Sequence, residues 1–181
     1  TTLAAPKAEY QETNNGAGTQ QEMLKKYELS QKQFQELSEY AREVDIPFFA
    51  SHFDKHTLQW LVEMNTPVFK LSSGELTDLI LVSQTAMHNR PIMLSTGMAE
   101  EDEIADALRE IESASNSPPP VVILHAVSSY PCPLDQANVK AVATLADRFG
   151  RPVGYSDHTE GDEAALAAVA LGACVIEKHL T

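Results

Sequence analysis

Short apolar runs recur along the chain, beginning near Ile46, Pro67, Pro91, Val121, Val153 and Ala173. Their length and their content of aliphatic residues predict buried strands. Between most of them the apolar residues fall at helical spacing instead. Leu58, Leu61 and Val62 form one such set, and Leu76, Leu79 and Ile80 with Ser83 form another. Ile104, Ala107, Leu108 and Ile111 form a third, with Glu100, Glu101, Asp102 and Glu103 crowded into its first turn, where the helix dipole favours negative charge. Val139, Val142, Leu145 and Phe149 end at Gly150, and Ala164, Ala167, Ala168 and Leu171 end at Gly172; both glycines read as C-terminal stops. Upstream, a helix is predicted over 20–29. A second opens at Ser30, whose hydroxyl forms a capping box with Gln33, and presents Phe34, Leu37, Ala41 and Val44 on one face before running into a strand at 46–50. Residues 1–19, with Pro6, Gly16 and Gly18, show no period and read as a loop or tether. The run 113–120 (SASNSPPP) is a surface connection between a helix and a strand.

Strands alternating with helices mean βα units and a parallel sheet. An open dinucleotide-type sheet usually carries a glycine-rich phosphate loop after its first strand, and this chain has neither GxGxxG nor GxxxxGK[ST]. Instead every strand ends in polar residues: Ser51-His52, Ser72-Ser73-Gly74-Glu75, Ser95-Thr96-Gly97, Ser128-Ser129-Tyr130, Ser156-Asp157-His158-Thr159 and Glu177-Lys178-His179. A barrel collects its active site from several strand ends in this way. The expected fold is therefore α/β, a partial TIM (β/α)8 barrel with six of the eight strands over residues 20–181. A complete barrel takes about 250 residues, so 181 is a deficit.

Thirteen basic residues stand against 26 acidic ones, a formal net charge of −13. That balance offers no basic stripe for nucleic acid or an anionic membrane. The longest apolar runs, 121–124 and 164–170, fall far short of the roughly 18 residues of a membrane span, and no signal-like start is present. Two cysteines, Cys132 and Cys174, have neither scaffold numbers nor metal spacing and read as reduced, in a cytoplasmic protein.

With so few bases, Lys70 and Lys178 at strand ends stand out as placed for an anion. Lys70 lies in an apolar strand, where an ammonium needs a partner; a phosphate or a carboxylate such as Glu75 or Glu177 can supply it. Alternation puts Lys70, Ser72 and Gly74 on one face, and Leu71, Ser73 and Glu75 on the other. Ser51, Ser73, Ser95 and Ser156 around one mouth would make a cradle of neutral donors. Glu75 is a candidate general acid or base, or a helix-start residue. His158 and His179 follow consecutive strands and can meet at one divalent metal, or remain two hydrogen-bonded rim histidines. His125 reads as a satisfied interior histidine, and His52, His56 and His88 as solvated or locally bonded. Tyr130 with the 131–133 run reads as a rigid loop able to cover a sugar, or as a turn.

Five segments in order, 69–75 (FKLSSGE), 91–98 (PIMLSTGM), 124–133 (LHAVSSYPCP), 153–159 (VGYSDHT) and 167–181 (AAVALGACVIEKHLT), resemble the sialic acid synthase family, which comprises N-acetylneuraminate synthase and its legionaminic and pseudaminic acid relatives. The resemblance runs in register from about residue 7 to the end. It implies a (β/α)8 barrel followed by an antifreeze-like domain, working as a domain-swapped homodimer. The implied reaction condenses phosphoenolpyruvate with an N-acyl hexosamine such as N-acetylmannosamine, releasing phosphate, with a divalent metal, Mn2+ or alternatively Mg2+ or Co2+. By motif it gives the metal to His158 and His179. It gives phosphoenolpyruvate contacts to Ser51, Lys70, Ser73, Ser95, Ser128 and Ser156, and the sugar side to Glu75 and Tyr130, with Glu75 and His179 as catalytic residues.

The chain departs from the family at Ala50-Ser51-His52-Phe53, where many members have Ser-Thr-Pro-Phe, and in the acidic start Glu160-Gly161-Asp162-Glu163 after His158. The resemblance further implies a fragment carrying the third to eighth strands, without the first two strands or the antifreeze-like domain. Two other readings stand beside the synthase: a non-catalytic sugar- or anion-binding remnant, and an aldolase with Lys70 or Lys178 as a Schiff-base nucleophile.

Overall fold

The computed structural model describes residues 5–7, 11–12 and 18–180; most of the predicted tether, 1–19, lies outside them. Two helices lead in. In α1 (Gln20–Tyr27) and α2 (Gln31–Glu43), Thr19 with Glu22 and Ser30 with Gln33 form capping boxes, the second as its sequence predicts. Helix α3 (Lys55–Glu63) starts at Asp54, whose carboxylate accepts the Thr57 amide. The βα units then follow: β1 (Phe69–Leu71), α4 (Leu79–Ala86), β2 (Ile92–Ser95), α5 (Glu101–Ser113), β3 (Val121–Ala126), a 3-10 turn at Leu134–Gln136, α6 (Ala141–Phe149), β4 (Val153–Asp157), α7 (Glu163–Ala170) and β5 (Ile176–Lys178). Gly150 closes α6 at φ 60, the left-handed conformation that a side chain resists.

All neighbouring strands pair in parallel, in the order β1-β2-β3-β4-β5. A doubly wound open sheet reverses its order at a switch point; this one advances strand by strand, as an arc of a barrel does. The described residues thus form a half-barrel of five strands. The expected sixth strand, 46–50, forms no ladder. Its place is marked by a single parallel bridge between Ser51 and Lys70. Pro47 carries no amide hydrogen, and among the described residues no strand lies on its far side to continue the pairing.

Alternation divides the sheet into two faces. Phe69, Leu71, Ile92, Leu94, Val121, Ile123, Val153 and Tyr155 point to the helix layer and form the core with Leu58, Leu61, Val82, Ile104, Leu108, Ile111, Val142 and Ala164. Lys70, Ser95, Ser156 and Glu177 take the opposite parity. The expected α4 face is shifted, because the helix begins at Leu79. Leu76 is buried in the turn before it, and Ile80 points to solvent. Leu37 and Val44 of the α2 face are likewise exposed, as are Ile46 and Phe53.

Candidate active site

The C-terminal strand ends converge on one cleft of about 240 Å³. It is lined by Lys70, Ser72, Ser73, Ser95, Ala126, Ser128, Tyr130, Ser156, His158, Glu177 and His179. All the predicted site residues meet here except Ser51 and Glu75. Ser51 is bridged to the Lys70 backbone and faces a separate groove walled by Phe34, Phe53 and Trp60. Glu75 sits in the turn after β1, where Ser72 Oγ donates to its carboxylate and burial pushes its carboxyl above the ordinary range. Strand alternation stops at Leu71, so Ser72 and Ser73 both line the cleft instead of parting to opposite faces.

Lys70 is largely sequestered, with 14% of its side chain accessible, and its Nζ lies 3.4 Å from Glu177 Oε1. The same oxygen accepts the Ser156 hydroxyl at 2.7 Å. Ser156 and Glu177 are direct register partners across β4 and β5, which is why the two side chains meet. Gly97 allows Ser128 to close the cleft: a Cβ at position 97 would stand 2.9 Å from Ser128 Oγ and 3.2 Å from the Ala126 carbonyl oxygen. The peptide bond between Tyr130 and Pro131 is cis.

His158 Nδ1–H donates to the Val127 carbonyl at 2.7 Å, so in the neutral ring Nε2 carries the lone pair, with Ser156 Oγ 3.4 Å away. Burial lowers its pKa, opposed by that bond and reinforced by His179, so the ring favours its neutral form. The His158 and His179 centroids are 5.6 Å apart, and Tyr130 packs against both at 4.1 and 6.0 Å. Among the described residues no three His, Cys, Asp or Glu side chains converge on a metal-sized point. A metal held here would take its imidazole donors from His158 and His179. A neutral histidine fixed through its second nitrogen is the form in which imidazole binds a borderline divalent ion, so the pair fits such an ion.

Lys178 is not free for an anion. Its Nζ donates to Asp157 Oδ2 at 2.7 Å and to the Thr159 carbonyl at 2.8 Å. Asp157 is fully buried and also accepts both the amide and the hydroxyl of Thr159. Burial pushes its carboxyl up, but the bonds from Lys178 and Thr159 outweigh that and hold it below the usual range. His125 is satisfied as expected: its Nε2–H donates to the Ala137 carbonyl at 3.0 Å, and its ring stacks on Tyr155. His52 is not solvated. It is wholly buried, bonded to Thr85 Oγ1 at 2.8 Å, and burial lowers its pKa to about 4. Sequence reasoning weighed Glu177 only as a possible partner of Lys70. Its place in β5, two residues before His179, which follows the strand end, already put both at one parity.

A parallel arc whose strand ends collect a lysine, serine hydroxyls, a tyrosine and two imidazoles defines an α/β half-barrel with a candidate active site at its strand ends. Comparison with known proteins gives the family. Residues 1–181 match the NeuB family throughout, and the chain belongs to it. It is 42% identical to the N,N'-diacetyllegionaminic acid synthase of Campylobacter jejuni over 98% of this chain and 53% of that protein. The synthase of the same name from Legionella pneumophila is 40% identical over 97% of this chain and 50% of that protein. A crystal structure of N-acetylneuraminic acid synthetase from Leptospira borgpetersenii, in complex with citrate, superposes with a TM-score of 0.83 at 35% identity. The match covers 94% of this chain and 59% of that one. The chain thus spans about half the length of the curated relatives it matches. No helix among the described residues is long and apolar enough to cross a membrane.

Proposed function

We propose that this chain carries the strand-end machinery of a phosphoenolpyruvate-dependent nonulosonate synthase, condensing phosphoenolpyruvate with an N-acylated six-carbon amino sugar and releasing phosphate. The observation that carries the reading is the joint cleft of Lys70, Ser73, Ser95, Ser128 and Ser156 with Tyr130, His158 and His179. A sequestered ammonium among hydroxyl donors suits the phosphate and carboxylate of an enol ester. In the reaction the enol carbon attacks the acceptor's aldehyde carbon, water adds to the resulting cationic centre, and the carbon–oxygen bond to phosphate breaks. Lys70 and the serines hold the departing charge. Tyr130, packed on both imidazoles, borders the space left for the sugar. His158 and His179 would hold the divalent ion, Mn2+, Mg2+ or Co2+. Bound there, that ion polarises the acceptor's carbonyl oxygen. Glu75, its carboxyl raised above the ordinary range by burial, is the candidate general acid or base.

The two legionaminic acid relatives favour a diacetamido acceptor, with N-acetylmannosamine as the simpler alternative. The complete translation product containing these residues should release phosphate and form a nine-carbon keto acid, seen by mass spectrometry, from phosphoenolpyruvate, Mn2+ and one of these sugars. Absence of phosphate release with every N-acyl six-carbon sugar offered would overturn the reading.

A further inference from the structure

We infer that Glu177 Oε1 is a resident stand-in for a substrate oxygen, so that an incoming phosphate must displace this carboxylate from Lys70 and Ser156 in order to bind. The inference rests on the reading of the cleft as an anion seat and adds to it a competitor within the chain.

The argument starts from donors. Lys70 is the only lysine or arginine among the residues lining the cleft, and its one ion-pair partner within it is Glu177, at 3.4 Å. A serine hydroxyl has a single proton to give. Ser156 gives its proton to the same Glu177 oxygen at 2.7 Å. One carboxylate oxygen therefore occupies both the cation and the most buried hydroxyl at that end of the cleft, as a phosphate oxygen would. A bound phosphate cannot share the position, because two anions at contact distance repel strongly in a partly dry site.

Glu177 also has somewhere to go. It also lines a second compartment of about 120 Å³, walled by Ser156, Asp157, His158, Lys178 and His179. Its side chain is 35% accessible, compared with 14% for Lys70, so the glutamate is the freer partner. Rotation out of the Lys70 compartment releases the ammonium and the Ser156 proton together.

Inorganic phosphate titrated calorimetrically into the chain at low salt tests this. Glu177→Gln keeps the shape and removes the charge, and should bind phosphate about tenfold more tightly. Glu177→Asp retains the charge but draws the carboxylate back, and should fall between the two. In a Lys70→Met background the gain from Glu177→Gln should vanish, because the competition is for Lys70. A Lys70-dependent phosphate affinity that Glu177→Gln leaves unchanged or weakens would overturn the inference while leaving the anion seat intact. Phosphate binding indifferent to Lys70 in both proteins would overturn the proposed function with it.

Discussion

The two faces of the sheet are built from alternate residues of the same strands, yet they do different work. Toward the helices, Phe69, Leu71, Ile92, Leu94 and Ile123 are fully buried within one apolar cluster. Toward the lumen, the opposite parity holds Lys70, Ser95, Ser156 and Glu177, the last joined to Ser156 by a hydrogen bond and to Lys70 by an ion pair. A period of two thus separates stability from ligand chemistry within a few ångströms. The separation implies that large losses of stability arise on the outer face and that changes on the inner face show in binding. The exceptions at the strand ends test how sharp it is.

The largest effect belongs to the outer face. Ile123→Ala removes a fully buried side chain from the centre of the core and should cost about 4 kcal/mol, read from urea denaturation. A loss below 1 kcal/mol would mean that the helix layer is loosely packed and the contrast between the faces is weak.

Next comes His52, a polar group placed on the dry side. Its folded pKa of about 4 lies below the ordinary 6.5, so the unfolded chain takes up its proton first as pH falls. The sign follows: there is no penalty above pH 6.5, stability is lost progressively between 6.5 and 4, and the loss levels off below 4 at about 3 kcal/mol. His52→Gln, which can keep a bond to Thr85 without titrating, should flatten that part of the profile. Equal slopes for the two proteins would show that His52 does not carry the acid lability.

Strand periodicity, helix caps and polar strand ends were legible because each is written within a few residues of itself. Ser30 with Gln33, and the serine-bearing ends of β2 and β4, formed where their spacing predicts. What depended on distant chain was not legible. His52 reads as a loop residue beside Asp54 and Lys55, and its burial depends on distant chain: Phe69 packs on its ring and Thr85, 33 residues on, bonds it. The ladder expected at 46–50 is reduced to the single bridge at Ser51, with Pro47 unable to donate to it. Lys178 looks available for an anion until β4 and β5 pair in register and set Asp157 opposite it.

That Asp157–Lys178 pair is the third test, because it places charge on the outer parity at the rim. Asp157→Asn leaves a half-buried ammonium with the Thr159 carbonyl as its remaining partner, and should cost about 2 kcal/mol. Because the Asp157 carboxyl is held below its usual range, its contribution is present near neutral pH and is lost as pH falls through that lowered value. The stability difference between the wild-type chain and Asp157→Asn should therefore shrink in acid. A difference that stays constant down to pH 2 would mean that the packing of the rim, and not its charge, holds β5.

The smallest change in stability should come from the inner face, and it separates the two roles most cleanly. Lys70→Met keeps an unbranched apolar stem of similar length and removes the ammonium. Glu177 remains bonded to Ser156 and reaches solvent, so no buried charge is stranded. Replacement of such a pair by an apolar side chain is close to neutral, and the midpoint should move by less than about 1 kcal/mol in either direction. Phosphate affinity should nevertheless fall at least about tenfold, since the cleft loses the one cation among its walls. Should Lys70→Met unfold the chain, the lumen side would be part of the structural core after all. The alternation between Lys70 and its neighbours Phe69 and Leu71 would then no longer divide the sheet by function.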